Sequence, residues 1–445
     1  MQSSIKLINH ASVKFEFNEI KILTDPWYKE SVFHKGWKLI HQQTPEEILE
    51  IVKDISHIYI SHEHPDHFSP SFFLNKAIKS VLIDNKVRIL FQKTKDKRVV
   101  SFLKKNGYSV TEVSNNKYFS LTNKIKIKII KFGYIDSSLI IEAPNIKILN
   151  LNDCPLNTKN KIEKFKNKYG EFDILLSQFS YAAWKGGKEN SVYREIAAQE
   201  KIKTLEDQYK ILNCKYVVPF ASFIYFSNSL NNYMNDHINK PYDVYNKIKN
   251  KINVIFLAPN EKQMLNDLKQ NINSINFWKE KYDQIPTLPV EEFTDTISFE
   301  DLNKEYKNYR LKIYDLNSKI LIYLASKIKF LNFFQPINIF LIDHKKNYEF
   351  SLINGFKKKD NLNIDIKMHS ESLMFIFKHN FGFDTLTVNS CFESTKEGFV
   401  KSTKSFALGT LNSMGLNLNL ALLFNLKLVF FFLNLIRKVT RKLNT

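Results

Sequence analysis

The sequence predicts an α/β protein followed by a smaller α+β unit, and three observations carry that prediction. Positions 4–24 alternate apolar and polar residues, strand and helix signals then take turns through residue 257, and prolines break the chain at Ile285-Pro286 and Leu288-Pro289. At 445 residues, with roughly 150 per domain, the length calls for two to three units. Hydrophobic residues at 44% and charged residues at 25% are the proportions of a folded globular chain, which excludes wholesale disorder.

The elements follow in order. Ile5-Lys6-Leu7, Val13-Lys14-Phe15-Glu16-Phe17 and Ile20-Lys21-Ile22-Leu23 have the period of two that half-buried antiparallel strands require. Thr24-Asp25-Pro26-Trp27 ends the pattern. A helix is predicted over 45–52, with Thr44 as its N-cap, Pro45 at its first position and glutamates in its first turn. The short apolar strand Ile58-Tyr59-Ile60 comes next. Further strands are expected at 87–91, 124–131, 137–141, 146–149, 174–176, 216–218 and 254–257, with helices at 96–105 and 191–212 between them. This first domain is expected to span 1–285.

The second unit, 286–415, reads as helices around 300–330, strands at 337–342, 348–353 and 362–368, and a helix at 370–378. A tail, 416–445, is expected as an amphipathic or membrane-associating helix. Residues 420–436 are nearly all apolar but carry Lys427 and Asn434, and Lys438 and Arg441 continue the same stripe. Two readings stay open: a helix on a membrane surface, with Arg437-Lys438 and Arg441-Lys442 at anionic headgroups, or a helix packed on the second unit or a partner subunit.

The net charge of +20 comes from lysines spread along the whole chain, with no basic cluster interleaved with aromatics, so nucleic acid is not an expected partner. A solvated Lys-rich surface and attraction for an anionic small-molecule substrate are the two readings. Cys154, Cys214 and Cys391 are too far apart for a C-x-x-C site and too few for a disulfide framework. With no signal-peptide pattern after Met1, the expected location is cytoplasmic, with the tail allowing a peripheral place on the inner face of the membrane.

The chemistry concentrates at Ser61-His62-Glu63-His64-Pro65-Asp66-His67, directly after the predicted strand Ile58-Tyr59-Ile60. Imidazole and carboxylate are ligands for zinc or iron, and side chains two apart in an extended segment point the same way, so His62 and His64 can grip one ion. The turn at Pro65 brings Asp66 and His67 back toward it. A core has little reason to bury three histidines and an aspartate so close together, because each costs desolvation.

This H-x-H-x-D-H segment after a hydrophobic strand resembles the signature of the metallo-β-lactamase superfamily. The resemblance implies an αββα sandwich with its metal at one edge. Asn9-His10-Ala11-Ser12, Ile22-Leu23-Thr24-Asp25-Pro26-Trp27, Gly36-Trp37, residues 146–154, Trp184-Lys185-Gly186-Gly187-Lys188 and Pro219-Phe220-Ala221 further resemble, in the same order, the metal-binding domain of CMP-N-acetylneuraminate hydroxylases. That resemblance implies Asp153 as a metal-bridging ligand beside His62, His64, Asp66 and His67, with His10 and Asp25 supporting the ligands from behind. Two departures stand out. The paired C-x-H and C-x-x-H spacing of a Rieske iron–sulfur module is missing, and Phe132 stands where the family pattern has a metal-binding His. The missing ligand leaves open a single metal or a remote donor such as His34, His41 or His237.

The expected function is a metal-dependent hydrolase using one or two zinc ions, with Asp66 orienting or deprotonating water and Lys185, Lys188 and Arg194 receiving an anionic group of a phosphodiester, sugar-nucleotide or lipid-like substrate. One alternative is the iron-dependent oxygenase component of a sugar-nucleotide hydroxylase served by a separate redox partner. Another is a degenerate metal-binding protein without catalysis. Residues 368–373 and 382–386 resemble a sterol-carrier-like module; the other reading is an α+β accessory unit without a ligand.

Overall fold

The computed structural model describes residues 3–328, 332–360 and 363–420. The alternation seen in the first residues places opposite faces of one sheet in two different cores. Ile22, Tyr59 and Leu90 face a central core, while their neighbours Leu23, Ile58, Ile60, Ile89 and Phe91 face a second core under helices. That sheet has seven strands in the order Lys262–Met264, Ser3–Asn9, Ser12–Phe17, Ile20–Thr24, His57–Ile60, Arg88–Gln92 and Ser109–Val113. The first four pair antiparallel, and from Ile20–Thr24 onward the pairing is parallel. Helices Pro45–Val52, Pro70–Leu74, Lys76–Asp84 and Arg98–Lys105 cover its outer face through Ile48, Val52, Phe73, Leu82 and Leu103.

A six-stranded sheet lies against the inner face, in the order Tyr216–Phe220, Ile174–Gln178, Ile146–Asn150, Asp136–Ala143, Lys126–Phe132 and Tyr118–Ser120. The first three strands are mutually parallel and the rest antiparallel. Its helices Lys159–Tyr169 and Ser191–Ile211 join the central core through Ile162, Phe165, Ala198, Ile202 and Leu205. The layer order is therefore helix, sheet, sheet, helix, the αββα sandwich expected for the first part of the chain.

Several elements differ from the expectation. Residues 254–257 form no strand. Val254 makes only an isolated bridge to Val217, although the apolar run is buried. Helices Lys159–Tyr169 and Ile272–Asp283 and strands Ser109–Val113 and Tyr118–Ser120 were not expected. The predicted strand at 362–368 is confined to Ile366–Met368 among the described residues, and the tail from 421 onward lies outside them.

A separate core gathers residues from Leu302 to Leu411. Its five-stranded sheet runs Gly355–Lys358, Lys346–Ser351, Ile337–Leu341, Ile366–Met368 and Phe392–Ser394, with Phe299–Leu316 and Ser370–Lys378 among the helices that pack on it. This α+β unit meets the sandwich at specific points. Trp184 stacks near Phe392 and Phe399, at ring separations of 5.0 and 4.6 Å. His34 stacks on Phe375 at 4.4 Å, and Asn231 Nδ2 donates to the Asn389 carbonyl at 2.6 Å. At Gly36 a Cβ would stand 2.3 Å from Asn389 Cβ, so only glycine admits this approach.

Candidate metal centre

Every histidine and aspartate of the cluster is delivered by the same edge of the sandwich, where parallel strands end. Asp25 follows Ile20–Thr24, residues 61–67 follow His57–Ile60, and Asp153 follows Ile146–Asn150. Asp136 opens the antiparallel strand Asp136–Ala143, whose start falls at the same edge, and His10 sits in the turn between Ser3–Asn9 and Ser12–Phe17. His10 and Asp25 both take a left-handed backbone with φ of 37°, and Asn152 does so at 48°. The Asn9 side chain accepts the His10 N–H at 2.9 Å, and the His10 carbonyl accepts the Ala221 N–H at 2.8 Å, which pins the first turn. After Pro65 the His67 N–H returns to the His64 carbonyl at 2.9 Å, the turn that folds Asp66 and His67 back.

The donor atoms converge in two groups. One atom each of His10, Asp66 and His67 lie within 4.8 Å of one another, and so do those of His62, His67 and Asp153. His67 Nε2 stands 3.4 Å from Asp66 Oδ2 and 3.3 Å from Asp153 Oδ1. His62 Nε2 and His64 Nδ1 are 2.9 Å apart, and Asp136 Oδ1 lies 3.9 Å from His62 Nε2. The set fits a metal on an independent ground: among the described residues, buried His10 Nδ1, Asp66 Oδ1 and His67 Nε2 make no hydrogen bond, a state that buried polar atoms otherwise avoid.

A surrounding ring of polar groups orients the imidazoles. Asp25 Oδ2 pairs with His67 Nδ1 at 3.0 Å, while its Oδ1 accepts the Ser61 N–H at 2.7 Å. Ser61 Oγ pairs with His62 Nδ1 at 2.9 Å, leaving Nε2 turned inward. Gln178 Nε2 donates to Asp153 at 2.6 Å, and Lys201 holds the other end of that amide at 2.7 Å. Partners of this kind fix the tautomer and aim of ligands. Trp27 meets His10 edge-on at 5.4 Å and Phe33 meets His64 at 5.9 Å, walling the site with aromatic rings.

Charges in the cluster divide sharply. Burial disfavours the His67 cation, but Asp66, Asp153 and Asp25 outweigh it and hold its pKa well above the ordinary range. Burial, with His67 and His64 adding to it, pushes His62 well below the ordinary value, and burial also lowers His64. For Asp66 burial acts upward and is more than reversed by His67 and His10, leaving it well below the carboxylate range. Asp153 is held at about 2, burial again being outweighed by His67. Asp136 goes the other way, raised to about 7 by burial and by the charge of Asp153.

His62, His64, Asp66, His67 and Asp153 are thus brought together, with Asp25 behind them. His10 is placed among the ligand atoms themselves, closer than the supporting role expected of it. Asp136 was not anticipated as a donor at all. The remote donors considered for the gap at Phe132 lie elsewhere: His34 stacks on Phe375, His41 meets Phe277 at 5.6 Å, and His237 pairs with Ser191 at 2.8 Å. Phe132 itself stacks on Phe165 at 5.8 Å. Arg194 corrects the expectation of an anion receiver. It is 1% exposed, its fork closes on Asp236 at 2.6 to 3.0 Å, and its remaining donors hold the carbonyls of Gly187 and Lys188. Lys185 reaches the Ala182 carbonyl at 3.2 Å, and Lys188 lies 3.7 Å from Glu393 of the second unit.

Layer order, motif and a cluster of buried donors at one edge define the class: an α/β protein with a sandwich of the metallo-β-lactamase type and a set of side chains able to hold a metal. Within that class, its sequence resembles cytidine monophosphate-N-acetylneuraminic acid hydroxylases. It is 24% identical over 240 residues to that of Danio rerio, covering 49% of this chain and 38% of the relative. It is 23% identical over 277 residues to the inactive hydroxylase of Homo sapiens, covering 57% of this chain and 52% of the relative. The chain spans about half the length, or less, of these two curated relatives. No family model matches it. Among solved structures, CmlA, a diiron β-hydroxylase from Streptomyces venezuelae, is similar at 14% identity and a TM-score of 0.39, covering 59% of this chain and 54% of that one. The metallo hydrolase Igni18 from Ignicoccus hospitalis is similar at 14% identity and a TM-score of 0.41, covering 59% and 98%.

Proposed function

We propose that this chain is a metal-dependent hydrolase acting on an anionic substrate at the His62, His64, Asp66, His67 and Asp153 cluster, completed by His10. The observation that carries the metal is the set of buried, unbonded atoms His10 Nδ1, Asp66 Oδ1 and His67 Nε2. A zinc ion bound there supplies Lewis acidity that brings water toward a pKa of ~7. The protein's own part is to hold the imidazoles rigid and to move a proton. Asp66, locked between His10 Nε2 at 3.3 Å and His67, is a poor base, so its expected role as proton acceptor passes to Asp136. The Asp136 carboxyl, 3.9 Å from His62 Nε2, is the group left beside the cluster to take up and return a proton at its Oδ atoms. Lys185 and Lys188 remain the candidates for the anionic group of the substrate.

The second reading, an iron-dependent hydroxylase component with a separate electron donor, is favoured by the names of the curated relatives. Cys154, Cys214 and Cys391 are free, buried and far apart in the sequence, so on this reading the electrons come from outside these residues. Element-resolved metal analysis of the parent and of His64→Ala, followed by assays on phosphodiester and ester substrates with and without oxygen, separates the two. Zinc and oxygen-independent turnover support the hydrolase. Iron with oxygen uptake supports the second reading, and a parent without metal removes both.

A further inference from the structure

Asp153 is the one member of the proposed ligand set that the six-stranded sheet delivers; His10 and residues 62–67 come from the seven-stranded sheet. Its place opposite the imidazoles therefore depends on what holds it within its own layer. Two residues of that layer do so. Gln178 ends the strand Ile174–Gln178, which pairs in parallel with Ile146–Asn150, and its Nε2 donates to Asp153 Oδ1 at 2.6 Å. Lys201, on the helix Ser191–Ile211, donates from Nζ to Gln178 Oε1 at 2.7 Å.

The order of these three groups has a chemical reason. A primary amide is two-ended, with an oxygen that accepts and a nitrogen that donates, and the two ends are so alike in shape that it can turn over at little steric cost. An ionised carboxylate only accepts, and an ammonium only donates. With Lys201 at one end and Asp153 at the other, a single orientation satisfies both. Turned over, the amide would set its nitrogen against the ammonium and its oxygen against the carboxylate. The ammonium also polarises the amide and strengthens the N–H that Asp153 receives. The spacing is braced by a neighbour. Asn239 Nδ2 donates to the carbonyls of Phe179 and Ala198, each at 2.7 Å, which ties the end of the strand to the helix just before Lys201. Ala198, Ile202 and Leu205 bury the same helix in the central core.

We propose that Lys201 and Gln178 form a positioning relay, in which the lysine locks the amide and the amide fixes the rotation of the Asp153 carboxylate. The inference rests on the hydrolase reading in taking Asp153 as a metal ligand. It goes beyond that reading in placing control of the ligand geometry on the outer helix: a change at Lys201 reaches the ligand set through one amide. Lys201 and Gln178 are positioning residues, and their effect is read on the metal and on Asp153 before any substrate is present.

The test uses Co2+ as the probe on the full chain, with affinity measured by chelator competition and ligand geometry by the visible absorption band. Gln178→Leu is expected to weaken affinity by about 10- to 100-fold, the usual effect of removing a group that holds a ligand. Lys201→Met is expected to weaken it by roughly two- to tenfold, the worth of one hydrogen bond, and to shift the band while the metal-free protein melts as the parent does. Lys201→Arg, which keeps a charged donor, is expected to restore the parental band. In the Gln178→Leu background Lys201→Met is expected to add nothing, because its path to Asp153 is already cut. A Lys201→Met variant with parental affinity and band overturns the relay alone, provided the parent binds Co2+. So does a loss from Lys201→Met that is as large in the Gln178→Leu background as in the parent, or a lowered melting temperature with an unmoved band, which marks a purely structural lysine. A parent that binds no Co2+ removes the hydrolase reading and the relay with it.

Discussion

Asp25 Oδ2 holds His67 Nδ1 at 3.0 Å, and both side chains are wholly buried. This pair directs the other ring nitrogen, Nε2, at Asp66 and Asp153 and so toward the candidate metal position. Asp25→Ala is expected to weaken metal affinity by about 10- to 100-fold, the usual effect of removing such a partner. Competition with a coloured chelator measures it, and an affinity equal to that of the parent would show that the pair is only structural.

His10 and Asp136 extend the cluster at different ligands, His10 at Asp66, 3.3 Å away, and Asp136 at His62, 3.9 Å away. If the two donor groups hold separate ions, His10→Ala lowers the stoichiometry by about one metal per chain, while His62→Ala removes the other. Metal analysis on each variant decides it. Equal loss in both variants would mean a single ion shared by all the donors.

How far the sequence discloses this site depends on distance along the chain. His62, His64, Asp66 and His67 lie within one turn after a strand, so their spacing alone pointed to a metal. Asp153 and Asp25 could be placed only by family resemblance, because an aspartate after a strand is otherwise a common turn residue. Asp136 was missed since its position depends on an antiparallel strand starting at the edge where the parallel strands end, and no local pattern states that. The usable signal was a carboxylate placed directly before the strand expected at 137–141. The helix Ile272–Asp283 does carry Ile275, Trp278 and Tyr282 at helical spacing, but the Asn and Lys around them hide the period. The run at 254–257 misled in the opposite way, being apolar from burial in the core without pairing along its length.

His67 carries a proton that a metal must displace. Its pKa is held well above the ordinary range by Asp66, Asp153 and Asp25 against the effect of burial, so near pH 7 metal uptake releases that proton and affinity rises with pH. Calorimetric titrations in buffers of different ionisation enthalpy should show at least about one proton released per chain. Heats that do not depend on the buffer would contradict the charge assigned to His67.

Arg194 is a clamp on the Gly187 and Lys188 loop, with Asp236 as its counter-charge at 2.6 Å. Asp236→Ala leaves a buried guanidinium short of its partner, but the carboxylate is 33% exposed, so the expected cost is about 1 kcal/mol, below that of a fully buried pair. Urea denaturation measures it. A loss below about 0.5 kcal/mol would mean that solvent replaces the carboxylate.

The contact between the two units gives the protein an acid-sensitive point at His34. Its ring stacks on Phe375 at 4.4 Å and near Phe293 at 5.0 Å, and Phe33, His34 and Lys35 all hold positive φ, so the loop has one narrow way to present the ring. Burial, aided by the charges of Lys35 and His379 and opposed by Glu371, lowers the His34 pKa from 6.5 to about 4. The folded state therefore prefers the neutral ring. Its contribution is fully present above pH 6.5 and is lost as the pH falls through about 4. His57, lowered to about 4 by burial and Arg88, titrates over the same range and adds to the same loss. Replacing His34 by Phe keeps an aromatic ring in the stack and removes the His34 ionisation while leaving those of the other lowered histidines in both proteins. Between pH 7 and pH 4.5 the melting temperature of His34→Phe should consequently fall less than that of the parent, by an amount corresponding to about 2 kcal/mol. Parallel curves for the two proteins would show that protonation of His34 is not coupled to unfolding.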